Sequence, residues 1–119
     1  MGDFERSDPP FSASEKEMLT AYLDYHRATL LKKLEGLSRE QLLQRHPPTT
    51  ITLLGLLKHL AYVERYWFRQ IFAGEDLPFI WTREDADADW RVEDDDTVEG
   101  LLEFYKNEVR QARIIAKAA

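Results

Sequence analysis

Cysteine is missing from all 119 residues, which removes disulfides, thiolate metal ligands and a cysteine nucleophile. A basic surplus is missing too. Sixteen Lys and Arg stand against 22 Asp and Glu, a formal net charge of -6, so nucleic-acid backbones and anionic membranes are not expected partners. The opening MGDFERSDPPF has acidic groups and two prolines where a secretory signal needs a basic start and an apolar core, so the expected location is the cytoplasm. No stretch suits a bilayer either. The most apolar one, Ile51 to Phe72, is broken by Lys58, His59, Glu64, Arg65 and Arg69. There is no HExxH motif, no glycine-rich phosphate loop and no internal repeat, and Ser7, Ser12, Ser14 and Ser38 fall where caps or loops explain them.

What is present is 44% hydrophobic and 32% charged residues, enough apolar surface for one folded core in a chain of this size. Residues 1–13, with Pro9 and Pro10, are expected to form a flexible arm, and residues 14–119 a helical domain. Ser14 with Glu17 has capping-box spacing and opens a helix whose expected inward stripe is Leu19, Leu23, His26, Leu30, Leu34 and Leu37. Ser38 with Gln41 opens a short connector helix that Pro47-Pro48 must end. Thr49 or Thr50 is the expected cap of a central helix with Leu53, Leu57, Leu60, Trp67 and Ile71 on one face, and Gly74 is its expected left-handed terminator.

Residues 75–95 lack any helical stripe and read as a long loop, held to the bundle by Phe79, Ile80, Trp81 and Trp90. The acids Asp94 to Asp96 precede a last helix, with Asp96 and Glu99 again at capping-box spacing. Its stripe is Val98, Leu101, Leu102, Tyr105, Val109 and Ala112. The expected class is all-α: three long helices and a short connector.

Without cysteine, metal chemistry falls to three histidines and the carboxylates. His46 precedes a proline in a connector and is expected to face solvent. His26 and His59 lie on or beside apolar faces, where an imidazole needs a partner. If their helices run antiparallel, the two rings sit at depths of roughly 16 and 12 Å, which permits a shared site. A hydrogen-bonded structural role is the other reading of each ring. Glu64 and Glu108 are candidate buried acids, for which an ion pair with Arg65, Arg110 or another basic residue is the expected outcome.

The segments ITLLGLLKHLAYVERYWFRQIFAGEDLP and LDYHRATLLKKLEGLSREQL resemble the DinB-like superfamily, in particular the branch related to mycothiol-dependent maleylpyruvate isomerase. The likeness spans residues 14–119, and the KHL segment with the aromatics behind it is its most specific part. It implies a four-helix bundle and a divalent metal, commonly zinc or nickel. One ligand would be a histidine at the place of His59; the others would be a later His or Glu and a His four residues beyond it. No such later pair occurs before Ala119, so a fourth bundle helix is expected to be missing or supplied by a partner.

The chain is then either a fragment or a natural short form. His26 is the remaining candidate for a second ligand. A homodimer is expected, to cover the open apolar face. The resemblance implies a metal-dependent transferase or isomerase working with a low-molecular-weight thiol; a non-catalytic helical interaction module is the alternative.

Overall fold

The computed structural model describes residues 4–10 and 14–119. The arm expected over residues 1–13 therefore lies in part outside the described residues, as does Ser12. Among the described residues every regular element is helical. The chain divides into two compact units, Met1–Leu37 and Ser38–Ala119.

The first unit is built on α1, Glu15–Leu34. Ser14 caps it by accepting the Glu17 N–H at 3.2 Å; Glu15 and Glu17 sit at its positive end and Lys32 and Lys33 at its negative end. The inward stripe is not the expected one. Leu19, Leu23 and His26 are exposed, whereas Arg27, Ala28 and Leu34 are buried. The Arg27 guanidinium carries an ion pair to Asp24 at 3.1 Å, so its position holds a charge where the pattern asked for an apolar residue.

The second unit begins with α2, Arg39–Leu42, where the expected capping box is complete: Ser38 accepts the Gln41 N–H and the Gln41 side chain accepts the Ser38 N–H. After the cis Pro47-Pro48 peptide comes α3, Leu53–Glu64. Its cap is Thr52, whose hydroxyl accepts the Gly55 N–H at 3.0 Å, rather than Thr49 or Thr50. The Thr49 hydroxyl instead accepts the N–H of Ile51 and closes the turn before the helix.

From Arg65 to Phe72 the helix continues in the wider π form, closing with the Ala73 N–H on the Phe68 carbonyl five residues back, and Gly74 at φ 70° then ends it as expected. The last helix, α4, is Val98–Ala118, capped by Thr97 through the Gly100 N–H at 2.9 Å. Asp96, the expected cap, is engaged elsewhere.

The core of this unit is a seam between α3 and α4, with Leu54, Leu57 and Ala61 on one side and Leu101, Tyr105, Val109 and Ala112 on the other, and Leu42 is buried as well. The α4 stripe matches its pattern. The α3 stripe is turned by about one position from the expected one, leaving Leu53, Trp67 and Ile71 exposed. Residues 76–96 form the long loop, without helix or strand. An edge-on contact of Trp81 with Tyr62 and tilted contacts with Tyr66 and Phe79 hold one part of it. No helix among the described residues is long and apolar enough to cross a membrane.

Candidate functional site

Gly55, Lys58 and His59 stand three and four residues apart, so they share one side of α3. All three meet the same stretch of the long loop. At Gly55 the Trp90 carbonyl comes so close that an added Cβ would overlap its oxygen, which explains a glycine inside a helix here. The buried Lys58 ammonium donates to the Arg91 carbonyl and to Asp96 Oδ2, both at 2.8 Å. His59 Nδ1 donates to Asp89 Oδ2 at 2.6 Å, and its ring stacks on Trp90 with centroids 3.7 Å apart and planes within 12°.

The imidazole is thus fixed on two counts. The carboxylate selects the nitrogen that carries the proton, and the indole sets the ring plane. In the neutral ring this leaves Nε2 with the free lone pair. Asp89 is almost fully buried while His59 keeps 25% of its side chain exposed. The ring opens into a cleft of about 300 Å³ walled by Val63, Tyr66, Trp67, Trp81 and Trp90. An oriented imidazole in an aromatic-walled cleft can accept a proton from a bound ligand or hold a metal ion.

Asp96 fastens the far end of this loop stretch. Burial pushes its carboxyl up, but the Lys58 hydrogen bond, the Glu93 N–H and the charges of Lys58 and Arg39 outweigh burial and hold it below the ordinary carboxylate range. Arg39 also donates to the Asp96 carbonyl.

A second polar cluster lies along the π segment. Glu108, fully buried on α4, accepts from Arg65 Nη2 at 2.9 Å and Arg69 Nη1 at 3.1 Å. Arg69 also grips Glu75, whose hydrogen bonds, with the charges of Glu108 and Glu75, raise the Arg69 pKa against the effect of burial. The expected ion pair between Glu108 and Arg65 is present; Arg110 pairs instead with Glu103.

The family model described as Mycothiol-S-transferase matches residues 18–119. The chain belongs to the mycothiol-S-transferase family. This agrees with the DinB-like, mycothiol-related resemblance of the KHL segment, whose histidine is the one held by Asp89 and Trp90. No match is found among curated proteins or among solved structures.

For a mycothiol-S-transferase family member the placement of the other expected ligands matters. His26 belongs to the first unit, exposed on α1 and edge-on to Tyr25 at 5.5 Å; His59 belongs to the second. His46 is exposed in the turn before α3, as expected. A structural or catalytic zinc takes at least three protein donors. Among the described residues no group of three or more His, Cys, Asp or Glu is gathered to hold one.

Three residues of the site escaped the sequence pattern. Asp89 is one acid among many in EDADADW, with no spacing to mark it. Lys58 stands in the sequence only as a break in the apolar stretch, and nothing in the pattern marks Gly55. Only Trp90 carried a signal, as a large aromatic in a loop that must be held down.

Proposed function

We propose that this chain handles a low-molecular-weight thiol, mycothiol in particular, in a transfer reaction at the His59 cleft. The observation that carries the reading is the imidazole held by Asp89 and Trp90 in the wall of an aromatic-lined cleft. The thiol S–H gives its proton to Nε2, and the sulfur forms a bond to an electrophilic carbon of the acceptor. The bond to the leaving group breaks, and the leaving group takes the electron pair and the proton back from Nε2. Asp89 steadies the imidazolium that forms between these events. Such thiols are kept reduced in the cytoplasm, which is the location this reading proposes.

Metal dependence is a separate part of the proposal and an alternative to the proton-accepting role, since one lone pair serves one of the two: zinc or nickel would be held at His59 Nε2. The test is a thiol-transfer assay with mycothiol and an alkylating acceptor, run with and without added zinc or nickel, on wild type and His59→Ala. Transfer by wild type lost about a hundredfold in His59→Ala, with an unchanged circular dichroism spectrum, supports the reading. Equal rates in both sink it. Calorimetric binding of Zn²⁺ by wild type but not by His59→Ala supports the metal part; no binding by wild type removes it.

A non-catalytic helical interaction module is the second reading, favoured by the exposure of Trp67, Ile71 and Phe72 on the π segment. Self-association into a homodimer through that surface is proposed under both readings.

A further inference from the structure

Three successive residues of the long loop meet three residues of α3. Asp89 Oδ2 holds His59 Nδ1, the Trp90 carbonyl lies against Gly55, and the Arg91 carbonyl accepts from Lys58 Nζ. The same ammonium, buried, also holds Asp96 Oδ2. Asp96 is tied back in turn, its carboxylate to the Glu93 N–H and its carbonyl to Arg39 on α2, so the chain from Arg91 to Asp96 is drawn up around one cation. The Arg91 side chain pairs with Asp85 and Glu93 and so stays within the loop.

A buried cation here serves register more than stability. Taking an ammonium and a carboxylate out of water costs about what their attraction returns, and an apolar pair in the same space often stabilises as well or better. What the cation adds is direction, because each N–H needs an oxygen at hydrogen-bond distance, whereas an apolar side chain does not choose among neighbours.

Register matters because the segment leading into the site repeats: Asp85, Ala86, Asp87, Ala88, Asp89. Acids stand at every second place, and a loop without helix or strand has no ladder of its own to forbid a slip. A slip of one residue would bring Ala88 or Trp90 to Nδ1 in place of a carboxylate. A slip of two would bring Asp87. In each case Trp90 would leave the ring on which it stacks.

We propose that Lys58 is a positioning residue for the His59 site: by clamping the Arg91 carbonyl and Asp96 it sets the loop register that puts Asp89 on Nδ1 and Trp90 on the ring face, and so keeps the proton off Nε2. Lys58 acts through the loop and has no part in the chemistry. The inference rests on the reading of His59 as the working group and adds what holds its tautomer.

Side-chain nitrogen resonances of isotope-labelled protein report that tautomer directly. They are recorded with chelator present at about pH 8.5, where a free imidazole is neutral and prefers its proton on Nε2, and the His59→Ala spectrum assigns them. Wild type and Asp87→Asn are expected to show Nδ1–H. Lys58→Met keeps the stem and removes the donors, and is expected to make Nε2–H the major form. Asp96→Ala leaves Lys58 the Arg91 carbonyl and should fall between the two; where Lys58→Met does not fold, this variant decides alone. Glu108→Gln disturbs a cluster that makes no hydrogen bond to residues 89–96 and is expected to keep the wild-type tautomer, which separates positioning from general loosening. In the transfer assay kcat with mycothiol should fall about tenfold in Lys58→Met, with KM within about twofold of wild type.

Unchanged Nδ1–H in Lys58→Met and Asp96→Ala overturns the inference, as does an equal loss of Nδ1–H in Glu108→Gln or a wild type already on Nε2–H. A tautomer that follows Lys58 in a protein without thiol transfer keeps the positioning role and removes the transfer reading. Transfer in which tautomer and kcat are both indifferent to Lys58 does the opposite.

Discussion

At Gly55, two opposing effects make the sign of a single substitution informative. Alanine in a helix interior gains about 1 kcal/mol over glycine from propensity. Here its Cβ would overlap the Trp90 carbonyl oxygen and crowd the Thr52 hydroxyl, and the first of these is backbone that cannot simply swing aside. Overpacking of this kind costs about 1–3 kcal/mol, so Gly55→Ala is expected to lower stability to urea despite the better propensity. It also moves Trp90 off the His59 ring. A stabilised Gly55→Ala would mean that the loop does not press on α3 as described.

Glu108 is the residue where burial and charge conflict most. It is wholly inaccessible and its charge is matched by Arg65 and Arg69. Truncation to alanine leaves two partly covered guanidiniums without that partner, a loss of about 3 kcal/mol, softened because Arg69 retains Glu75. Glu108→Gln keeps shape and one acceptor and is expected to lose less. Urea midpoints for the two variants check this; a change under about 1 kcal/mol in Glu108→Ala would rule out the cluster as a structural element.

Among the elements, α4 was fully legible from its apolar spacing, because every charge on its inward side but Glu108 is absent. α3 was legible as a helix but not in its rotation. Its buried line runs through Lys58 and Glu64 as well as Leu54, Leu57 and Ala61, and a charge such as Lys58, whose partner Asp96 lies far along the chain, looks solvated in a pattern search. The shift to π form adds to the error by moving everything beyond Glu64 off the 3.6-residue period. In the site, His59 was legible and its partner Asp89 was not, since a contact across 30 residues of irregular loop leaves no local trace.

The tie between that loop and α3 is also sensitive to acid. Asp96 is held below the ordinary carboxylate value in the folded state, so the unfolded chain binds its proton more readily. The stability this contributes is fully present above the unfolded value, about 3.9, and is lost as pH falls through the folded one. Denaturation midpoints between pH 6 and pH 3 are expected to drop at the acid end, and more shallowly in Asp96→Asn, which cannot titrate there. Parallel curves for the two proteins would remove Lys58 and Asp96 as the acid-sensitive clasp.

For the whole molecule, the open question of surface is concentrated on the π segment, where Trp67, Ile71 and Phe72 are 59%, 52% and 66% exposed. Large apolar groups at that exposure on one short segment are a common mark of an association surface, and a second copy offers an identical patch to meet it. Opposing this is the net charge of -6, which each copy carries into the complex. The two forces respond differently to salt: screening weakens the repulsion and leaves the apolar contact intact. Light scattering at tens of micromolar protein is therefore expected to give a dimer mass that rises in occupancy with added sodium chloride. Ile71→Glu should return the chain to monomer, because it puts a further negative charge on each side of the contact. Trp67 also lines the His59 cleft, so a dimer of this kind would alter access to the imidazole, and transfer rates per chain should depend on protein concentration. A strictly monomeric wild type at every salt concentration would dismiss the dimer while leaving the His59 cleft as it stands.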